Sequence, residues 1–528
     1  MVVSNSTLAS EAGVEILRRG GNAVDAAVAV GFALAVTHPE AGNIGGGGYM
    51  VVRLADGRRA GIDYREVAPL GATRDMFAAS GGGTANESLV GYKAAAVPGS
   101  VAGLAAAEGE FGALSLREVV APAIRLAREG FAVDSAFARS LERAGPLIGQ
   151  FAGAARFLPN GAPPKIGTLF IQPELARTLE LIAASGPNAF YHGPVADSII
   201  AEERRGRGLI TAEDLAGYRV VRRAPIVSTY RGDTLITMPP SSSGGVAIAE
   251  ALNLLATYDS MPPFSSAAHA RLISDVFQRV FIDRNTRVGD PDFVHVPLAL
   301  LLDTGYARRL RQTISPTHAT PTAALTGEMG MLAEGAQTTH YSVVDAAGNA
   351  VATTTTLNDL YGSGVYVRGA GFFLNDEMDD FTTRPGVPNM FGLVQGPQNA
   401  IEPGKRMLSS MSPTIVLDHF GGMLAIVGGR GGSRIITSVA QIIINVIDYH
   451  MGLDDAMRAP RLHNQALPDT LRYEPGAISA SAADSLRSMG YAIAAGGAAG
   501  TCTAIARVIG PAYEGVVDPR ASGGAAGY

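Results

Sequence analysis

About two-thirds of the way along, this chain changes texture, and the break constrains the fold more than any other feature. Before it, amphipathic and apolar helices alternate with glycine joints. Ser6 and Thr7 precede LASEAGVEILRR, which stops at Gly20-Gly21 as a helix C-terminus should. A second helix runs from Asn22 to near Pro39, and GNIGGGGYMVVRL then reads as a glycine loop feeding a strand, with GIDYREVAP as its hairpin partner. Helical patterns dominate from Leu114 to Tyr218; Tyr230 to Met238 reads as one strand running into PPSSSGG, with a helix from Val246. From Gln312 to Gln337 the chain is Thr/Ala/Gly/Pro-rich without periodicity, the signature of an exposed linker. Past it, HYSVVDAAGNAVATTTTL gives two alternating strands about a turn at Ala347-Gly348-Asn349. Further strands are predicted at 371–374, 414–417 and 423–427, and a helix from Ile435 to Tyr449. There is no internal repeat. The class is α+β, with a linker just ahead of a strand that opens with threonines.

Composition narrows the function. A chain of 528 residues with 47% hydrophobic and 17% charged residues can bury a large core and is too apolar for intrinsic disorder. Its net charge of −6 excludes the concentrated basic face of a nucleic-acid binder. Cys502 is the only cysteine, so neither an intrachain disulfide nor a cysteine metal site can form. The apolar run Ala26 to Val36 is too short for a membrane span and reads as a core helix. Met1 leads directly into a polar segment, so no secretion signal is read in this chain. There is no G-x-S-x-G elbow, the lysines (Lys93, Lys165, Lys405) sit in no phosphate loop, and the histidines form no H-E-x-x-H, so no metal is expected.

Four segments can carry chemistry. Gln337-Thr338-Thr339-His340 places a hydroxyl where a flexible linker meets a core strand. There Thr338 could attack the preceding carbonyl, free its own α-amine and then use that amine as base for its hydroxyl. The same residues are also ordinary strand composition. Asn375-Asp376-Glu377-Met378-Asp379-Asp380 is either a solvated acidic turn or a cage for an ammonium group. Ser409-Ser410-Met411-Ser412 is a turn or a set of hydroxyl donors, and Gly428-Gly429-Arg430-Gly431-Gly432-Ser433 is a tight turn or an oxyanion cradle ahead of a helix.

Taken together, the segments resemble the gamma-glutamyltranspeptidases (gamma-glutamyltransferases) nearly end to end. The resemblance rests on GGNAVDAAVAV…THPEAGNIGGGGYM, IDYREVAP, MPPSSSGG, TTHYSVVDAAGNAVATTTTLN, LNDEMDDF, PGVPNMFGLVQG, KRMLSSMSPTIV, GGSRIIT and a closing DPR…GY. It implies a four-layer αββα sandwich of the N-terminal-nucleophile hydrolase type. It implies self-cleavage between Gln337 and Thr338 into a large subunit, 1–337, and a small catalytic subunit, 338–528, intertwined as one globular heterodimer. By the same resemblance, Thr338 is the nucleophile and Thr356 tunes its amine. Arg65 grips the donor α-carboxylate with Ser409 and Ser410, while Asn358, Glu377 and Asp380 hold the α-amine. Gly431 and Gly432 supply the oxyanion hole, and Pro385 to Gly396 forms a lid. Export to the periplasm or cell exterior is likewise implied by resemblance alone.

The implied chemistry fits the residue types. A γ-glutamyl donor carries a carboxylate and an ammonium on one carbon, so it needs a cation and an anion on opposite walls, such as Arg65 and Asp380. The expected substrates are glutathione and other γ-glutamyl amides, with water or an amino-acid or peptide amine as acceptor, and the scheme needs no cofactor. The alternatives are a cephalosporin or glutaryl acylase or a poly-γ-glutamate transferase on the same scaffold, and an unprocessed binding protein. Two positions depart from the family pattern: Arg430 replaces a proline, and Phe391 a lid tyrosine.

Overall fold

The computed structural model describes residues 1–78, 86–326, 338–383, 390, 395–508, 510 and 512–528. Two antiparallel sheets lie face to face. The first has seven strands, in the order 524–526, 2–4, 339–344, 350–356, 47–53, 59–63 and 221–223. The second has six, in the order 513–517, 501–507, 423–430, 414–417, 233–237 and 226–230.

Period-2 alternation explains why both sheets are covered on both faces. Met50 and Val52 join the core beneath the Thr7–Arg18, Ala23–Thr37 and Leu116–Glu129 helices, while Tyr49 and Val51 join the core between the sheets. The helices Gly244–Leu255, Ala267–Arg287 and Arg434–Ile447 cover the far face of the six-stranded sheet. The result is the expected four-layer αββα sandwich. Every residue of the Ala23–Thr37 helix is buried, as a helix apolar on all sides must be. Its start is fixed by a reciprocal capping box between Asn22 and Asp25.

Several sequence expectations need correction. Tyr230 to Met238 is not one strand: Ile226–Tyr230 and Asp233–Thr237 form a hairpin about Arg231 and Gly232, whose φ angles of 52° and 97° give the turn its twist. Residues 371–374 form no strand; Phe373 makes only an isolated bridge to Tyr366. The supposed linker is partly built into the fold. Thr322–Thr326 is a short helix, and buried Thr322 donates its N–H to Asp469 Oδ2 at 2.7 Å. The small-residue end of the chain forms the strands Thr501–Arg507, Tyr513–Val517 and Gly524–Ala526. Among the described residues, no helix is long and apolar enough to cross a membrane.

The strand Thr339–Val344 lies in the middle of the first sheet, and its His340 ring presses against the facing sheet. A Cβ at Gly428 would come within 2.3 Å of that ring, so only glycine allows this approach. The contact sets Thr338, two residues before His340, against the end of the Met423–Arg430 strand.

Candidate active site

Thr338 is buried at the mouth of the inter-sheet space. The pairing of Thr339 with Thr355 brings Thr356 beside it, and the two hydroxyl oxygens lie 3.4 Å apart. Thr356 Oγ1 also accepts the Asn358 N–H at 2.8 Å, with Asn358 in the left-handed region at φ 81°. His340, the nearest ring in sequence, is no base. Burial lowers its pKa to about 3, and its nitrogens face the Thr354 and Ser342 hydroxyls at 2.7 and 3.1 Å.

The Met423–Arg430 strand is followed by Gly431 and Gly432, with φ 131° and 57°. Both are buried, and among the described residues neither N–H donates to the protein. Their carbonyls instead accept the Arg434 and Ile435 N–H groups at 3.2 and 3.1 Å, which opens the Arg434–Ile447 helix. Two amides at a helix N-terminus are thus left for an anionic oxygen. Gly432 lines the same cavity as Thr338.

Across that cavity stands Arg65, fully buried just past the end of the Arg59–Asp63 strand. Its guanidinium contacts Asp380 and approaches Glu377 at 2.7 Å and Glu66 at 3.5 Å. Burial opposes the Arg65 charge, but Glu377, Glu66 and Asp380 more than offset it and raise its pKa. Burial pushes the acids up as well, against the pull of Arg65: Glu66 to about 7, Asp380 to about 6, and Glu377 well above its ordinary range. The acidic segment is therefore not a solvated turn. Glu377 and Asp380 face the cavity, while Asp376 accepts the Asp359 N–H at 2.9 Å and Asp379 the Ser88 hydroxyl at 2.7 Å, both holding loops.

Ser409 and Ser410 complete the cavity wall. The PPSSSGG segment backs them, Ser243 donating its hydroxyl to the Ser409 carbonyl at 2.6 Å. The sequence reading missed Glu66 and Arg284. Glu66 follows Arg65 directly within the IDYREVAP motif and was open to the same reading; Arg284 sits in a long helix with no local signal. The cavity measures about 20 Å³, room for little more than one water.

A buried threonine hydroxyl, a glycine turn whose amides donate to no protein group among the described residues, and charges of both signs gather around one small cavity, an arrangement suited to acyl transfer from a zwitterionic donor. The chain matches the gamma-glutamyltranspeptidase family model over residues 9–528. The chain belongs to the gamma-glutamyltranspeptidase family. It is 46% identical over 528 residues to a glutathione hydrolase proenzyme of Escherichia coli (strain K12), covering 98% of this chain and 90% of that protein. It is also 46% identical over 517 residues to the glutathione hydrolase proenzyme of Pseudomonas aeruginosa, covering 96% and 91%. Among solved structures, a cephalosporin acylase from Bacillus halodurans superposes with a TM-score of 0.86 at 28% identity, covering 100% of this chain and 95% of that one.

Arg430, which departs from the family pattern, does not line this cavity. Its Nε donates to Thr501 Oγ1 at 2.8 Å, and Nη1 lies 3.7 Å from Glu40. Gln337, Phe391 and most of the lid segment 385–396 lie outside the described residues. The described end of that segment ties to the site: Gln395 Nε2 donates to the Asp380 carbonyl at 3.1 Å, and Gly396 N–H to Asn285 O at 3.0 Å.

Proposed function

We propose that this chain is a self-processing γ-glutamyl acyltransferase and hydrolase acting on glutathione and related γ-glutamyl amides. The observation that carries this reading is one cavity shared by Thr338, Arg65, Glu377, Asp380, Ser409, Ser410 and Gly432. In processing, Thr338 Oγ1 attacks the Gln337 carbonyl, the acyl group shifts from nitrogen to oxygen, and water hydrolyses the ester. The products are a 1–337 chain ending in a carboxylate and a 338–528 chain beginning with the Thr338 amine, which stay together as a heterodimer.

In turnover, the free amine takes the proton from Thr338 Oγ1 as the oxygen attacks the donor γ-carbonyl. The Gly431 and Gly432 amides hold the oxyanion, and the amine passes its proton to the leaving amine. Water or an amino-acid or peptide amine then releases the γ-glutamyl group from the ester. Arg65 with Ser409 and Ser410 takes the donor carboxylate; Asp380, Glu377 and Asn358 take its ammonium; Thr356 orients the nucleophile. Similarity to an acylase raises a second reading, but a glutaryl group has no ammonium to set against two buried carboxylates. A periplasmic or extracellular site of action belongs to the same proposal, by family likeness.

The test is intact mass under denaturing conditions, N-terminal sequencing and turnover of a γ-glutamyl anilide. Two chains, the smaller beginning Thr-Thr-His-Tyr, with anilide hydrolysis, support the proposal. A persistent single chain without activity overturns it.

A further inference from the structure

Two guanidinium groups line the donor cavity, and they stand in opposite electrostatic situations. Arg65 is surrounded by three carboxylates. Arg284, from the last turn of the Ala267–Arg287 helix, is equally buried, yet its hydrogen-bond partners are neutral oxygens: Ser243 Oγ at 3.1 Å, Asn285 Oδ1 at 2.9 Å and Ser410 Oγ at 3.4 Å. Among the described residues no carboxylate lies within ion-pair distance of it. Burial lowers its pKa to about 10, opposed only by the more distant charge of Asp380. A guanidinium has five N–H donors, and three are used here, one of them at long range.

A buried charge without a counter-ion is costly unless a ligand supplies one. The serine meeting Arg284 is one of the pair expected to hold the donor carboxylate. Arg65 can turn to an incoming anion only by loosening its hold on Asp380 and Glu377, whereas Arg284 has no acid to release. We propose that Arg284 is a second cation of the donor pocket, binding the α-carboxylate of the γ-glutamyl group together with Ser410 and so selecting for donors that carry it. The inference rests on the γ-glutamyl reading above. It adds Arg284 to Arg65, Ser409 and Ser410 at the carboxylate end of the donor and leaves Asp380 and Glu377 to its ammonium.

The test uses processed enzyme, quantified by the amount of released small subunit, and three anilides. The γ-glutamyl anilide carries both α-groups, the glutaryl anilide keeps the carboxylate only, and the 4-aminobutyryl anilide keeps the amine only. Each is measured as substrate, or as competitor where turnover is slow. Arg284→Gln is expected to raise KM or the inhibition constant about ten- to a hundredfold for the first two, leaving the third within about twofold and kcat little changed. Arg284→Lys, which keeps the charge but not the fork, should recover part of the loss and serves if the glutamine variant fails to process. Equal losses on all three compounds, or an unchanged KM for the γ-glutamyl anilide, overturn the assignment. If the parent enzyme ignores the γ-glutamyl anilide altogether, the underlying functional reading falls instead, whatever Arg284 does.

Discussion

At the scale of single residues, the cavity holds acids raised by burial around Arg65, with Arg284 as a second cation in its lining. Asp380 must be ionised to hold an ammonium group, and its pKa is pushed up to about 6. As pH rises through that value the carboxylate charges, so kcat/KM for a γ-glutamyl anilide should climb through a limb near pH 6. The limb belongs to the Asp380–Glu377–Glu66 cluster as a whole, because these groups titrate together. Asp380→Asn should flatten it and cut kcat/KM at pH 8 by about a hundredfold, while a glutaryl anilide is comparatively spared; a pH–rate profile on both donors checks this. Thr338, Arg65, Asn358, Glu377, Asp380, Ser409, Ser410 and Gly432, singled out in short motifs by the family resemblance, line one cavity. Arg284 was not singled out, because an arginine in a long helix reads as surface until the fold buries it.

At the scale of elements, the close approach of the sheets decides where Thr338 sits. Gly428→Ala would drive a methyl into the His340 ring, itself held by the Thr354 and Ser342 hydroxyls. It should cost about 1–3 kcal/mol of stability and slow processing, read as a lower Tm and a smaller cleaved fraction at fixed time. A second lever lies under the Ser100–Phe111 helix. Buried beside Asp25, Glu108 has its pKa raised from 4.5 to about 9. The folded state thus keeps a proton that the unfolded chain gives up above about pH 4.5. Stability is fully present below that pH and is lost as pH rises toward 9. Glu108→Gln should remove this slope, raising Tm at pH 8 by the equivalent of about 1 kcal/mol or more and changing little at pH 4. The strands Thr339–Val344 and Ala350–Thr356 were readable from alternation, and Gly47–Arg53 as the strand that a glycine loop feeds. The Ile226–Thr237 hairpin was not, because its turn, Arg231-Gly232, lacks the asparagine or aspartate that marks such turns at the first position.

At the scale of the whole molecule, the proposed cut does not separate the chain into two bodies. Both sheets take strands from before and after residue 338, and in the first sheet they interleave: 2–4 lies between 524–526 and 339–344, while 47–53 borders 350–356. The two products should therefore run as one particle at any dilution and melt in a single transition. Thr338→Ala should stay one chain of 528 residues, inactive toward γ-glutamyl anilide, by intact mass and assay; active enzyme from this variant would remove the nucleophile assignment.

The pairing of the first strand with the last has a consequence for gene order. Val2 lies opposite Ala526, and Met1 N donates to the Val344 carbonyl at 2.9 Å, so residues 1–4 and 524–526 are neighbours in one sheet. A circularly permuted chain that starts at Thr338, passes from Tyr528 through a short bridge to Met1 and stops at Gln337 would keep every strand beside its present partner. Once its initiator methionine is trimmed, such a permutant would carry from birth the Thr338 amine that the proposed mechanism uses, and under that mechanism it would work without ever cutting itself.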